Sequence, residues 1–218
     1  MRAAIVSFLL WVGALSQPLS VRGQDIVGTL LPDGAPGRLV LPKPAERPRV
    51  IRQLRALQAA TPGDRPQQVA FLLAALGADY ERNRDFLLWA LKGCEDPKIT
   101  HGCDAFTGQY LSYLYEHGHH EILAPLLASG VKSNAAESRE YLGAFFSELV
   151  AKSPNEFLDA VRHFPVPTQK KMCSFAGYGD GSGMAEADLR KARKQLGAMN
   201  DEVARRCLRQ IEAANKTD

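Results

Sequence analysis

Residues 85–91, "DFLLWAL", decide the fold, because two similar stretches follow them at nearly constant intervals. "EILAPLL" begins at Glu121 and "EFLDAVR" at Glu156, so the spacings are 36 and 35 residues. Each stretch opens with an acidic residue, which is favourable at a helix N-terminus. A period in this range is typical of helix hairpins that bury their apolar faces by stacking on one another. The spacing therefore predicts an all-α fold of stacked antiparallel helix hairpins, either a short α-solenoid or an irregular helical bundle.

The apolar residues on either side of these stretches keep the same helical period. From Arg49 onward they recur every three or four positions, and no alternating strand pattern interrupts them. Residues 49–218 are therefore predicted to form one all-α, helical-repeat-like domain. The last helix is predicted to be a single long one. The predicted helices lie within residues 48–63, 65–77, 82–93, 104–118, 119–130, 133–153, 153–164 and 184–215.

Residues 1–23 have the pattern of a secretory signal peptide. A positive residue precedes an apolar run of 13 residues, 3–15, and small and polar residues follow it. That run is too short to cross a bilayer, which takes roughly 20 residues. We expect cleavage after Ser16 or Gly23, export to the periplasm or the outside of the cell, and no stable membrane insertion.

The next segment, residues 24–48, contains five prolines and three glycines, which disfavour regular helix. We predict an extended Pro-rich arm there. Loss of residues 1–23 would remove two arginines and leave 25 basic against 24 acidic residues. A balance this close to neutral gives no reason to expect nucleic acid as a partner.

The four cysteines fit an exported protein, because disulfides form and persist in oxidising compartments. Three pairings are possible in principle. Cys94 and Cys103 are the closest in sequence, so we predict that they pair and that Cys173 pairs with Cys207. A cysteine metal site would need short C-x-x-C spacing, which the sequence lacks. We expect no metal and no cofactor.

Three histidines cluster in "YEHGHHEI", residues 115–122, and raise the question of a metal site. Ligands on one helix are spaced i and i+4, whereas His117, His119 and His120 flank Gly118 at a predicted helix–helix turn. We interpret them as surface histidines of that turn. The glycine-rich residues 175–188 match neither nucleotide-binding fingerprint, and we predict a flexible hinge there.

Residues 118–134, "GHHEILAPLLASGVKSN", resemble the second half of an ankyrin repeat. The resemblance occurs once, and the Thr-Pro-Leu-His start of the first ankyrin helix is absent. It implies helix-hairpin packing and not membership of that family. The matching positions are Gly118, His119, Glu121, Ile122, Leu126, Leu127, Gly130 and Asn134.

Glu137 carries the one enzymatic hypothesis. A Glu-Ser pair, Glu137-Ser138, in an exported all-α protein is loosely similar to lytic transglycosylases of the cell wall, in which a lone Glu serves as acid and base. The downstream Gly-Leu-Met-Gln type signature is missing, and "GAFFSEL" stands there instead. Glu137 also suits the first turn of a helix electrostatically. The chain is therefore more readily interpreted as a non-enzyme.

Tyrosines at helical spacing offer a different function. Tyr110, Tyr113 and Tyr141 fit core packing between hairpins, but tyrosine is also favoured at protein interfaces. Solenoids use one exposed face to bind partners. We therefore predict a protein-binding module for another exported or periplasmic protein, acting as a scaffold, an assembly factor or an inhibitor of the immunity type.

Overall fold

The computed structural model describes residues 26–60, 65–95 and 106–216. Across these residues the chain is helical, apart from turns and one isolated bridge between Gly179 and Gly183. The all-α prediction is therefore confirmed. None of the described helices is long and apolar enough to cross a bilayer. The helices are α1 (residues 26–30), α2 (Arg47–Ala60), α3 (Pro66–Ala75), α4 (Tyr80–Lys92), α5 (Thr107–Glu116), α6 (Leu123–Lys132), α7 (Ala136–Lys152), α8 (Pro154–Arg162), α9 (Val166–Tyr178), α10 (Glu186–Ala198) and α11 (Glu202–Ala214), with single 3-10 turns at Pro36–Arg38 and His120–Ile122.

The described segment before α2 packs on the domain. Val27, Leu30 and Leu31 are buried in the core. The expectation that no helix forms in residues 24–48 is wrong for α1, because burial of these side chains outweighs the low helix propensity of Gly28. The extended arm is therefore not confirmed.

α3 supplies the centre of the N-terminal part. Its residues 67–74 are all buried, and α2 and α4 both pack against it. Pro66 begins the helix as predicted, because its fixed φ suits the first turn. Gly77, with φ of +71°, follows the end of the helix as predicted, because glycine adopts this left-handed conformation without a Cβ clash.

The middle of the chain also follows the predicted boundaries. Gly118, with φ of +102°, lies in the turn after α5, and Pro154 begins α8. Residue 104, where the sequence predicts this helix to begin, lies outside the described residues. The helix hairpins α5–α6 and α7–α8 each pack together, and α6 also contacts α7 and α8.

The C-terminal part differs from the prediction in two ways. α9, Val166–Tyr178, is a helix that the sequence did not predict. The predicted single helix 184–215 is instead α10 and α11, separated at residues 199–201. Asp201 caps α11, since its side chain accepts a hydrogen bond from the Val203 amide at 2.8 Å. This cap starts a new helix and lets α11 turn back along α10.

α9 lies between α7 and α11, and glycines permit both close approaches. A Cβ at Gly177 of α9 would lie 2.7 Å from the Ile211 Cα of α11. A Cβ at Gly143 of α7 would lie 1.8 Å from the carbonyl oxygen of Gly179. Only a hydrogen fits at these two positions.

A disulfide joins α9 to α11. Cys173 and Cys207 are bonded, with their Cα atoms 4.9 Å apart, and both are fully buried. This pairing is confirmed. Cys94 is buried at the end of α4, but Cys103 lies outside the described residues, so the predicted pairing between these two stays a prediction.

The glycine-rich turn between α9 and α10 is tied to α11 by Asn215. Its Oδ1 accepts a hydrogen bond from the Met184 amide at 2.8 Å. Its Nδ2 donates to the Gly177 carbonyl at 2.8 Å. These bonds restrain the turn that the sequence predicts to be a hinge.

Candidate functional site

The three histidines of the α5–α6 turn do not converge. The ring centroids of His117 and Tyr113 are 3.8 Å apart, and those of His119 and Tyr80 are 3.9 Å apart. Among the described residues, no group of three or more His, Cys, Asp or Glu side chains could hold a metal ion. Each ring packs against a different tyrosine: His117 on Tyr113, His119 on Tyr80 and His120 on Tyr115.

Tyr80 and Glu121 form the first of two related polar clusters beside these histidines. The Tyr80 hydroxyl donates to Glu121 Oε1 at 2.5 Å. Arg84 Nη1 lies 3.7 Å and His119 Nδ1 3.9 Å from the same oxygen. Burial works to raise the pKa of Glu121, but the hydrogen bond from Tyr80 and the nearby positive charges outweigh it and lower that pKa.

Tyr115 and Glu156 form the second cluster in the same way. The Tyr115 hydroxyl donates to Glu156 Oε2, and His120 Nδ1 lies 3.4 Å from that oxygen. In both clusters the tyrosine and the glutamate are 41 residues apart in sequence. The second cluster is thus displaced from the first by 35 residues, the period of the sequence repeat.

Both clusters link helices through a hydrogen bond from a phenol to a carboxylate. Burial, followed by the hydrogen bond to the glutamate, raises the pKa of Tyr80 and of Tyr115 well above the ordinary value. Both phenols therefore stay protonated and act as hydrogen-bond donors. Each glutamate accepts such a hydrogen bond and thereby ties two parts of the helical stack together.

Glu137, the residue of the enzymatic hypothesis, lies in the first turn of α7 and is exposed. It lines neither the cleft beside the start of α4 nor the one beside the start of α8. Neither of these two clefts therefore provides a substrate site for Glu137.

The three predicted binding tyrosines occupy different environments. Tyr110 is fully buried, its hydroxyl donates to the Gly34 carbonyl at 2.6 Å, and its ring stacks on Phe71 at 4.6 Å. Tyr110 is therefore a core residue in this structure. Tyr113 and Tyr141 are half-buried, and burial raises the pKa of both.

A more exposed aromatic surface lies on α4. Arg82, Phe86 and Trp89 form one row, because residues three and four apart share a helix face. The rings of Phe86 and Trp89 are 5.8 Å apart. Trp89 is 62% exposed, although tryptophan is highly buried on average. The helical period of the sequence puts Leu87 and Trp89 on different faces of α4 but does not tell which of the two faces is buried.

An open cleft of about 780 Å³ continues this row at the N-terminal end of α4. Arg82 and Arg55 both line it. Arg55 donates from Nε to Asp79 Oδ2 at 2.7 Å and from Nη2 to Asp79 Oδ1 at 2.9 Å. These hydrogen bonds hold the pKa of Asp79 below its usual value. The two-point contact orients α2 against the start of α4.

A row of arginines on α2 leads into the cleft. Arg49, Arg52 and Arg55 recur every three residues, and α2 carries four arginines but no acidic residue. The arginine row and the aromatic row meet at the cleft. We call the combined set the α2–α4 surface, and its members are Arg49, Arg52 and Arg55 of α2 and Arg82, Phe86 and Trp89 of α4.

Comparison with protein-family models, curated proteins and solved structures finds no match to this chain. The ankyrin and lytic-transglycosylase resemblances therefore gain no support as family relationships. Function has to be argued from the residues and surfaces described above.

Proposed function

We propose that the chain is an exported, helical protein-binding module that contacts another exported or periplasmic protein through its α2–α4 surface. The observation that carries the proposal is the 62% exposure of Trp89. Burying a tryptophan of this kind against a partner removes a large apolar area from water. Tryptophan and arginine are also the residue types most enriched among energetically dominant interface positions.

The surface is supported by a rigid scaffold, which reduces the entropy lost on association. Buried Asn83 on α4 donates to the Ala78 and Asp79 carbonyls at 3.1 and 3.0 Å. Its Oδ1 accepts a hydrogen bond from Gln58 of α2 at 2.9 Å. α2 and α4 are thus held together by this amide network and by the two bonds from Arg55.

The repeated Tyr–Glu contacts support stacking of the hairpins. Tyr80 bonds to a glutamate 41 residues later, and Tyr115 does the same one period further along the chain. Equivalent contacts at a 35-residue offset are expected when neighbouring hairpins repeat one packing arrangement. We propose on this basis a short solenoid-like stack, with the α2–α4 surface at its N-terminal end.

Export rests on the signal-like residues 1–23, which lie outside the described residues, and on the Cys173–Cys207 bridge. A disulfide of this kind is typical of oxidising compartments. Within this setting the surface suits either a scaffold or assembly factor or an inhibitor, and the number of partners distinguishes them.

Photo-crosslinking tests the proposed function. A photo-reactive amino acid placed at Trp89 in the exported protein should give a discrete adduct with a partner protein. The matched control is the same substitution at Tyr178, which is 49% exposed on α9. Equal adducts from both positions, or none from Trp89 in a protein with normal helical content, would contradict the proposal.

A further inference from the structure

The positive charge at the start of α2 does not stabilise this helix. Arg47 and Arg49 lie in the first turn of the helix, which contains no acidic residue. Positive charge is unfavourable there, because the helix dipole already makes the N-terminal end positive. These arginines therefore do not stabilise α2 through its dipole, and a bound partner offers a reason for their presence.

Three of the four arginines of the α2–α4 surface are also available for contact with a ligand. Arg49, Arg52 and Arg82 are exposed and make no ion pair with a described carboxylate, whereas Arg55 is engaged with Asp79. Arg82 lines the cleft and shares a helix face with Phe86 and Trp89, while Arg49 and Arg52 precede Arg55 by two helical turns and by one turn on α2. A ligand for this surface would therefore combine negative charge with apolar groups.

The distribution of negative charge indicates a polypeptide ligand. Glu81 lines the cleft and makes no ion pair with a described cation, whereas Asp79 is paired with Arg55 and Asp85, one turn further along α4, with Arg84. A lipid headgroup layer or a nucleic acid backbone carries closely and regularly spaced negative charge, which would meet Glu81 beside Arg82 and be repelled there. A polypeptide can place its acidic side chains beside the arginines only and put other side chains beside the carboxylates.

We propose that the α2–α4 surface binds an acidic segment of a partner protein, with an apolar side chain of that segment packed on Trp89 and Phe86. The inference rests on the proposed protein-binding function and adds the chemistry of the partner. Each helical row is long enough for such a contact. Arg49 to Ala59 spans about 15 Å and Arg82 to Trp89 about 10 Å at 1.5 Å per residue.

Selection from an unbiased library tests the partner chemistry and does not require the partner protein itself. Short random peptides displayed on phage are selected against the exported protein, and enriched sequences are synthesised and labelled for fluorescence anisotropy. We expect enriched peptides that combine Asp or Glu with a large apolar residue. Their affinity should fall as ionic strength rises, because the charges are exposed and screened by salt.

A matched pair of double variants separates local charge from net charge. Arg49→Gln with Arg52→Gln should weaken peptide binding roughly five- to tenfold, as expected for the loss of two exposed ion pairs. Arg139→Gln with Arg209→Gln removes two exposed arginines on α7 and α11 and should change binding less than about twofold. Equal effects of the two double variants would overturn the proposal.

The remaining outcomes distinguish this inference from the function on which it rests. Enrichment of neutral or basic peptides whose binding is lost with Trp89→Ser would overturn the acidic partner but keep the binding function. Failure to enrich any peptide that depends on Trp89 would overturn both. Arginine-dependent binding to phosphatidylglycerol vesicles or to a DNA oligonucleotide that exceeds peptide binding would also overturn the proposal, since it would assign the surface to a different class of ligand.

Discussion

Replacement of Gly143 by alanine should destabilise the protein, because the backbone of the turn after α9 occupies the place of the new methyl group. The added Cβ would lie 1.8 Å from the Gly179 carbonyl oxygen and 2.8 Å from its carbonyl carbon. The two backbones would have to separate by at least about 1.2 Å to bring the Cβ–oxygen distance up to 3.0 Å, the shortest that Cβ atoms ordinarily show. Both Gly179 atoms belong to the main chain, so no side-chain rotation relieves the contact.

The expected size follows from two opposing effects. Alanine is favoured over glycine in a helix by up to about 1 kcal/mol. Overpacking of a close contact costs about 1–3 kcal/mol, and more where backbone has to move. We expect a net loss of about 2 kcal/mol or more in the free energy of unfolding of Gly143→Ala. That loss corresponds to a decrease in Tm of roughly 4–8 °C for a domain of this size.

Gly197→Ala is the matched control, since the chemical change is the same and the surroundings differ. A Cβ at Gly197 would meet only Leu208 Cδ2, at 3.9 Å. This variant should gain about 0.5 kcal/mol from helix propensity. Urea unfolding followed by far-UV circular dichroism measures both changes. The close approach of α7 and the turn after α9 would be refuted if both variants changed the free energy of unfolding in the same direction. It would also be refuted if their free energies of unfolding lay within about 0.5 kcal/mol of each other.

Three further predictions concern stability. The double change Cys173→Ala and Cys207→Ala should lower the free energy of unfolding by about 3–4 kcal/mol, because the bridge restricts the unfolded chain; urea denaturation without reductant checks it, and an unchanged midpoint would contradict a formed bridge. The hydrogen bond from Arg162, followed by that from the helix N-terminus, lowers the pKa of Asp201, so its stabilising effect is present at neutral pH and is lost as the pH falls through the lowered folded-state pKa. Asp201→Ala should therefore lower the free energy of unfolding by about 1 kcal/mol at pH 7 and by progressively less below about pH 4. Urea unfolding of both proteins across this pH range measures the difference, and a difference that does not change with pH would contradict the linkage. Tyr80→Phe should lower the free energy of unfolding by about 0.5–1 kcal/mol, because it removes a partly exposed hydrogen bond to Glu121. A double-mutant cycle of Tyr80 and Glu121 should show a coupling energy of that size, and additive single effects would contradict the bond.

The helices that the sequence predicted well combine a strong apolar period with clear boundaries. α3 lies between Pro66 and Gly77, and α8 begins at Pro154. In these places local propensity, turn residues and burial all favour the same structure. The boundaries could therefore be read from residues close together in sequence.

α9 could not be predicted in this way, because its burial comes from contacts with distant residues. In its sequence, "VPTQKKMCSFAGY", four polar residues follow Val166 and Pro167, and the small residues near its end give little periodic signal. Met172 and Ala176 are fully buried in a helix on which α6, α7, α8 and α11 all pack. The break before α11 was missed for a related reason, since the apolar period continues through residues 199–201 and only the cap at Asp201 marks a new start.

The α2–α4 surface was not singled out from the sequence. The tyrosine pattern indicated an aromatic binding face, whereas the structure buries Tyr110 and exposes Trp89. Sequence alone does not tell which of two faces of an amphipathic helix meets a neighbour when both carry large apolar residues. α4 shows this ambiguity, because Phe86 and Trp89 are interleaved in sequence with Leu87 and Leu91 and all four side chains are large and apolar.

The Cys173–Cys207 sulfurs are beyond the reach of dissolved thiols as long as α11 remains docked on α9, since neither cysteine is exposed. Thiol–disulfide exchange requires direct approach of a thiolate to one of the sulfur atoms. Reduction of the native protein is therefore gated by separation of the two helices, and its rate in excess reductant would report how often α11 opens. Formation of the disulfide is subject to the same steric restriction. An oxidant has to reach the pair while α9 and α11 are still coming together, because afterwards the two thiols would be sealed inside the core.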